Sequence, residues 1–409
     1  MLFMPFQILG VWLRGLVTLA MIGVGAYLLV YWYDHREVVV VDLPTQTEIV
    51  RPGKEPGEVT RSHVVTWEFG WNRETICLVG GVFLLGWSFG GGWVLPRLLP
   101  KARTDDPKTP RDGAVQTIRR PDGTELHVET YGPANATTIV MTHGWGLDSD
   151  EWTYARKRLA VRYRLIVWDL PGLGKSKGPD NKDWSLEKMA GDLDAVVALA
   201  GDRPVILLGH SIGGMITLTY CRLFPASLGP RVRGIVLANS TYTNPVKTMS
   251  NPGLYSALQK PLLEPLCHLM VWLSPLVWLM DVLSYINGSA HSSTEKASFS
   301  GHESRGQLDF MARYYLVIWP AVAARGMLGM FRYDATPTLP TIPIPALVVT
   351  GDRDETCVPE ASAFMARTIP NAKLVTLKDA RHCGLFEHHE AFHAAVEEFV
   401  AGCEKGSER

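Results

Sequence analysis

Serine becomes a useful nucleophile only when a base takes its proton, and the base works best when a carboxylate orients it. Ser211 stands in Gly209-His210-Ser211-Ile212-Gly213, directly after the apolar run Val205-Ile206-Leu207-Leu208 and directly before a helical stretch. The spacing Gly-x-Ser-x-Gly arises easily in a glycine-rich chain, so its setting carries the weight. A sharp turn from strand to helix strains the serine, needs glycine on either side, and places the hydroxyl at a helix N-terminus whose free N–H groups favour developing negative charge. An ordinary tight turn is the plain alternative.

A base and an acid are both available downstream. Gly351-Asp352-Arg353-Asp354 and Val358-Pro359 follow the apolar run Ala346 to Thr350, and Ala380-Arg381-His382 follows the last strand-like run. His388, His389 and His393 fall in a helical stretch, where they face solvent or pack on a sheet, so His382 is the expected base. Asp352 and Asp354 are close to even on pattern alone; a turn former bonded to its own backbone is the plain reading of Asp352.

The order serine, aspartate, histidine resembles that of the α/β-hydrolase fold superfamily, in its serine hydrolase, esterase- and lipase-like branch. The resemblance runs from about Gly113 to Val400 and includes His143-Gly144-Trp145-Gly146, Asp169-Leu170-Pro171-Gly172-Leu173-Gly174 and the serine turn. It implies a catalytic triad of Ser211, His382 and Asp354, the acid falling fourth in its loop. It also implies an oxyanion hole made by the backbone N–H groups of Trp145 and Ile212, where side-chain identity matters little. His143 is expected to brace its loop, His210 to pack, and Asp169 to brace its own turn. A carboxylate nucleophile, as in related epoxide and haloalkane hydrolases, is disfavoured by Ser211.

Other chemistries fit less well. Gly174-Lys175-Ser176 ends like a phosphate-binding loop, but that loop needs glycine where Asp169 stands. The histidines lack metal-ligand spacing, so neither metal nor cofactor is expected. Forty basic against forty-one acidic residues leave a net charge of −1, which gives no general attraction to nucleic acid. Six cysteines without paired or dense spacing suit a reducing compartment.

The elements that must position these residues alternate. Runs at Glu125 to Tyr131, Thr138 to Met141, Arg164 to Trp168, Val205 to Leu208, Val232 to Ala238, Ala346 to Thr350 and Lys373 to Leu377 are mostly near-continuous in apolar residues, as in strands buried on both faces. Helical stretches such as Leu186 to Ala200 and Gly213 to Phe224 separate several of them. The fold class expected is therefore α/β, a mostly parallel sheet flanked by helices. The hundred residues from Thr241 to Pro340 exceed a simple crossover and predict a helical cap insertion.

Two apolar runs precede this part. Gly15 to Tyr33 contains no ionisable side chain except tyrosine, and the run reaches back past Arg14 to Ile8. That is long enough to cross a bilayer, and the flanks suit an anchor better than a cleaved signal. Ile76 to Leu95 is uncharged, and its Gly86 and Gly90 offer a small-xxx-small pair for packing on the first helix. Arg97, Lys101, Arg103, Lys108 and Arg111 cluster after the second run, so the rule that cytoplasmic flanks are positive puts the C-terminal part in the cytoplasm. Tyr31, Trp32, Tyr33, Trp67 and Trp71 would form an outer aromatic belt. The sequons at Asn135, Asn239 and Asn287 are then coincidental.

The expected organisation is 1–33 a first transmembrane helix, 34–75 a loop, 76–95 a second transmembrane helix, 96–111 a linker, 112–240 and 341–409 two parts of a hydrolase core, and 241–340 the cap. Within the cap, Pro265 to Ile286 is almost wholly apolar and fits a core helix, a lipophilic lid or a membrane-dipping segment. Pro275 favours two short helices over a third span, and Phe310 to Met330 is expected to cover the site. The function expected is hydrolysis of lipophilic carboxylic esters at a membrane. Acyl transfer on the same fold and a catalytically silent binding scaffold are the alternatives.

Overall fold

The computed structural model describes residues 5–36, 39–42, 63–66, 71–98, 107 and 110–406. Trp67, Lys101, Arg103 and Lys108 lie outside them.

Two helices, α1 (Pro5–His35) and α2 (Arg73–Leu98), are each long and apolar enough to cross a membrane. Between them in the chain, β1 (Val39–Asp42) and β2 (His63–Thr66) pair antiparallel, so the segment expected as a plain loop contains a two-stranded ribbon. The two helices pack antiparallel through different glycines from those expected. A Cβ added at Gly25 would crowd Leu84 and Leu85, and one at Gly81 would press on Leu29 and the Gly25 carbonyl. Gly86 and Gly90 have nothing within 4 Å of such a Cβ. The close approach therefore sits nearer the start of α2, where small residues let the two backbones meet. At the far end, the guanidinium of Arg73 lies over Tyr31 at 5.0 Å and that of Arg36 over Tyr33 at 3.8 Å.

The rest of the chain runs β3 (Ala114–Arg119), β4 (Glu125–Tyr131), β5 (Thr138–Thr142), α3 (Thr153–Leu159), β6 (Arg164–Trp168), α4 (Leu186–Val197), β7 (Val205–His210), α5 (Ile212–Leu223) and β8 (Val232–Ala238). Seven helices follow: α6 (Pro252–Leu258), α7 (Glu264–Trp272), α8 (Ser274–Ile286), α9 (Ser289–Ser298), α10 (Arg305–Ala312), α11 (Tyr314–Val317) and α12 (Pro320–Met330). The chain then returns through β9 (Ala346–Gly351), α13 (Pro359–Thr368), β10 (Ala372–Leu377), α14 (Gly384–Glu387) and α15 (His389–Gly406).

Eight strands form one sheet in the order β10-β9-β8-β7-β5-β6-β4-β3, parallel from β10 to β6 and antiparallel where β4 joins β6 and β3 joins β4. This is the α/β-hydrolase fold. β5, β7 and β9 are buried along their whole length, which explains their unbroken apolar sequences. β3 lies at the sheet edge, with most of its residues exposed and Val115 at 60%.

Strand order reverses beside β5, with β6 on one side and β7 on the other. A crevice opens at the carboxyl ends of parallel strands at such a switch point. The loops after β5 and β7 carry His143-Gly144-Trp145 and Ser211, so the topology brings these two segments together.

Candidate active site

The turn at Ser211 is built by backbone constraint. Ser211 has φ 53° and ψ −116°, a conformation disfavoured for a residue with a side chain. Its N–H donates to the Ala238 carbonyl at 2.9 Å, and its carbonyl accepts the Ser240 hydroxyl at 2.6 Å. Glycine on both sides is a spatial requirement. A Cβ at Gly209 would meet the Gly213 carbonyl carbon at 2.2 Å, and one at Gly213 would meet the Thr142 carbonyl oxygen at 2.2 Å. Although Ser211 precedes α5, its hydroxyl makes no capping bond. It stays available at the positive end of that helix.

His382 and Asp354 come together from the loops that follow β10 and β9. The Nδ1 of His382 and the Oδ2 of Asp354 are 2.6 Å apart. The same Asp354 oxygen accepts the Asn239 side-chain amide at 3.0 Å, while Oδ1 accepts the N–H groups of Thr356 at 2.8 Å and Cys357 at 3.0 Å. Four donors on one carboxylate hold it fixed. Asp352 instead accepts the Ala380 N–H at 3.2 Å, a loop-bracing bond. The geometry thus separates two carboxylates that the sequence left even.

Burial is the main influence on His382 and lowers its pKa below the usual 6.5, against the pull of Asp354. The neutral imidazole, the form that can accept a proton, therefore dominates at neutral pH. With Nδ1 bonded to Asp354, Nε2 is buried and has no hydrogen-bond partner among the described residues. Ser211, His382 and Asp354 are only 4%, 1% and 2% exposed.

Trp145 and Ile212 occupy the positions expected to supply oxyanion donors, after β5 and at the start of α5. The side chain of Trp145 departs from expectation, because it is not a matter of indifference. Its Nε1 donates to the Ala323 carbonyl of α12 at 3.0 Å, its ring meets Trp184 edge-on at 6.3 Å, and Gly326 has no room for a Cβ against it. The loop expected to bind an oxyanion is thereby tied to the helix that covers it. That cover is not one helix: the stretch Phe310 to Met330 divides into the end of α10, then α11 and α12.

His143 and Asp169 brace as expected. His143 places Nδ1 at 2.8 Å from the Gly144 carbonyl and accepts the Leu170 N–H on Nε2 at 2.9 Å. Asp169 accepts the N–H groups of Ser149 and Lys175, both at 2.8 Å. His210 does more than pack. Its Nδ1 bonds the Glu151 carboxylate, whose other oxygen accepts the Gly144 N–H at 2.9 Å, and its Nε2 reaches the His382 carbonyl at 3.2 Å. Burial raises the pKa of Glu151, but His210 and the Gly144 N–H outweigh it, and the net shift is downward.

Glu151 and Asn239 were missed in the sequence. Glu151 lies in a short turn some sixty residues before its partner, and only the fold joins them. Asn239 follows β8 at the level of Ser211, a strand-end polar residue whose signal was read only as a sequon. Among the described residues no group of histidine, cysteine, aspartate and glutamate is suited to hold a metal ion.

The fold has known counterparts. A family model described as the alpha/beta hydrolase family matches residues 139–395. A pimeloyl-[acyl-carrier protein] methyl ester esterase of Xanthomonas axonopodis pv. citri is 27% identical over 285 residues, which are 68% of this chain and 99% of that protein. An esterase of Thermogutta terrifontis superposes with a TM-score of 0.57 at 24% identity, covering 71% of this chain and 99% of its own. Esterase RhEst1 of Rhodococcus sp. gives a TM-score of 0.55 at 23% identity, covering 70% and 98%. With its serine turn, its strand order and a family match over more than half its length, the chain belongs to the alpha/beta hydrolase family.

Proposed function

We propose that the protein is a membrane-anchored serine hydrolase that cleaves carboxylic esters of lipophilic acyl groups. The observation that carries the reading is the short His382–Asp354 contact, 2.6 Å, with His382 Nε2 unbonded among the described residues, at the same carboxyl edge of the sheet as the strained Ser211. The likeness to methyl ester esterases supports the ester as the bond attacked.

In this mechanism His382 Nε2 takes the Ser211 proton as Oγ attacks the ester carbonyl. The N–H groups of Trp145 and Ile212 hold the tetrahedral oxyanion, and the proton passes to the departing alkoxide. Water, activated by the same histidine, then cleaves the acyl-enzyme. Asp354 keeps the imidazole in the tautomer that leaves Nε2 free to accept. Asn239, Thr356 and Cys357 keep Asp354 in place.

Helices α1 and α2 act as two transmembrane anchors, with residues 112–240 and 341–409 as the catalytic core and 241–340 as its cap, all on the cytoplasmic side. The lipophilic substrate follows from the apolar cap and the bilayer beside it. A fluorophosphonate probe tests the reaction class. Wild-type protein should be labelled once, at Ser211, and Ser211→Ala should lose both labelling and ester turnover. Labelling that persists in Ser211→Ala would refute the assignment.

A further inference from the structure

Helices α1 and α2 do not tether the cap at a distance, because they are packed into it. Val11 is 1% exposed, and Leu9 and Trp12 pack on the core cluster of the catalytic part. A Cβ at Gly15 would collide with Met280 of α8, and Asn287 donates to the Thr18 hydroxyl at 2.7 Å. From α2, Gly91 and Gly92 lie against the backbone carbonyls of Tyr285, Ile286 and Asn287. Both glycines are required there, since a Cβ would meet those oxygens at 2.4 Å and 2.3 Å.

These contacts set a depth. The Arg73–Tyr31 and Arg36–Tyr33 stacks mark one membrane boundary, where cations and aromatic rings settle. Gly92 lies about 28 Å from Arg73 along α2, and Thr18 about 20 Å from Tyr31 along α1, at 1.5 Å per residue. A hydrocarbon core of about 30 Å thus reaches the end of α8. Between Gly15 and Thr18, α1 advances about 4.5 Å, while α8 advances about 10 Å from Met280 to Asn287. Met280 thus meets α1 near Gly15 and Asn287 meets it near Thr18, so the two ends of this stretch of α8 lie at similar depths along α1.

The outward face of α8 suits that position. Pro275, Leu276 and Leu279 are exposed and Val282 is half-exposed. Asp281, the only acidic side chain on the helix, is turned inward at 1% exposure. Trp278 lies 6.4 Å from Trp319 and donates to the Leu316 carbonyl, which extends the patch to Val317 at 68% exposure. Trp272, at the bend between α7 and α8, is 78% exposed. In water, a surface helix carries charge on that face. Together the segments 252–272 and 274–286 are apolar enough for a span but are bent by 97°, the form of a broken span or of a re-entrant element.

We propose that α7 and α8 form an in-plane, re-entrant membrane element, with Trp272, Leu276, Leu279, Trp278, Val317 and Trp319 seated in the leaflet on the catalytic side. The partner is the lipid bilayer, and continuity of the patch with α1 and α2 is what selects it. The inference rests on the reading of α1 and α2 as spans. It sharpens the substrate class to esters resident in that leaflet.

The test uses full-length protein in phospholipid nanodiscs, with Cys77→Ser and Cys403→Ser, and a fluorescent NBD group on a single introduced cysteine. Leu276→Cys and Leu279→Cys probe the patch, Val82→Cys the lipid-facing side of α2, and Val161→Cys a surface outside the cap. With a lipid carrying a nitroxide high on its acyl chain, the Leu276 and Leu279 probes should be quenched at least half as strongly as the Val82 probe. The Val161 probe should be unaffected. Quenching at Val82 with neither patch probe differing from Val161 would overturn the in-plane element and leave the anchors standing. No quenching at Val82 would overturn the anchor reading, and this inference with it. A thermal melt matching the parent in each labelled variant establishes that the fold is intact.

Discussion

The carboxyl edge of the sheet and the junction of α1 with the cap are both buried, yet their polar groups are treated in opposite ways. At the sheet edge, Asp354 has four donors, Glu151 bonds both His210 and the Gly144 N–H, and His143 uses both ring nitrogens. Among the described residues His382 Nε2 and Asn239 Oδ1 remain without a bond there, the first being the atom the proposed mechanism needs. At the junction, Arg14 bonds Ser293 at 2.8 Å and lies over Tyr315, but its Nε and Nη2 and both oxygens of the nearby Asp281 have no hydrogen-bond partner among the described residues. Satisfied polar groups fix geometry to fractions of an ångström, which catalysis requires. A buried charge with few bonds costs stability and serves at most to select one docking position. The comparison teaches that order at the first place suits the proposed chemistry, and at the second it sets where two elements meet.

The largest expected effect falls on the sheet edge. Asp354→Asn should lower kcat by about 10³ to 10⁴, because the amide cannot hold the imidazole in the right tautomer. Asp352→Asn should cost less than about tenfold, since it loses one backbone bond. The pH profile adds a sign. The base must be neutral, so kcat/KM should rise with pH and reach its midpoint below the ordinary histidine value of 6.5, because burial lowers the pKa of His382. Asp354 pulls that pKa upward, so the residual activity of Asp354→Asn should have a still lower midpoint. Equal losses in the two variants would break the distinction between the carboxylates, and a midpoint above 6.5 would contradict the lowering of the His382 pKa by burial.

A smaller effect is expected at the junction. Arg14→Ala removes a charge-assisted hydrogen bond and a cation–π contact, together about 2 kcal/mol. The cap should melt earlier in detergent while fluorophosphonate labelling below the transition stays at wild-type extent. Loss of labelling in the folded variant would mean that the two regions are not independent.

How far the sequence disclosed these regions follows the same division. The serine turn was legible because strand, glycines and helix are contiguous in the chain. Asp354 needed the fold, since two aspartates on one loop differ only in what they face. Glu151 and Asn239 act through partners brought near by the sheet, and nothing local marks them. β3 escaped notice because an exposed edge strand has no apolar run. Gly86 and Gly90 have a suggestive spacing, but the packing of α1 on α2 falls at Gly25 and Gly81, while Gly15, Gly91 and Gly92 meet the cap. Pro275 did place the break, and α7 and α8 meet at Leu273.

The central claim is that Ser211 becomes acylated by an ester substrate. The most direct measurement is acid quenching during turnover of p-nitrophenyl octanoate, followed by intact-mass and peptide mass spectrometry. The account predicts an added octanoyl group on the peptide containing Ser211, formed in a burst of one nitrophenolate per active site when deacylation is slower than acylation. It also predicts that the adduct is absent from Ser211→Ala and from His382→Ala. An octanoyl group on any other residue during productive turnover, or full turnover by Ser211→Ala, would contradict it.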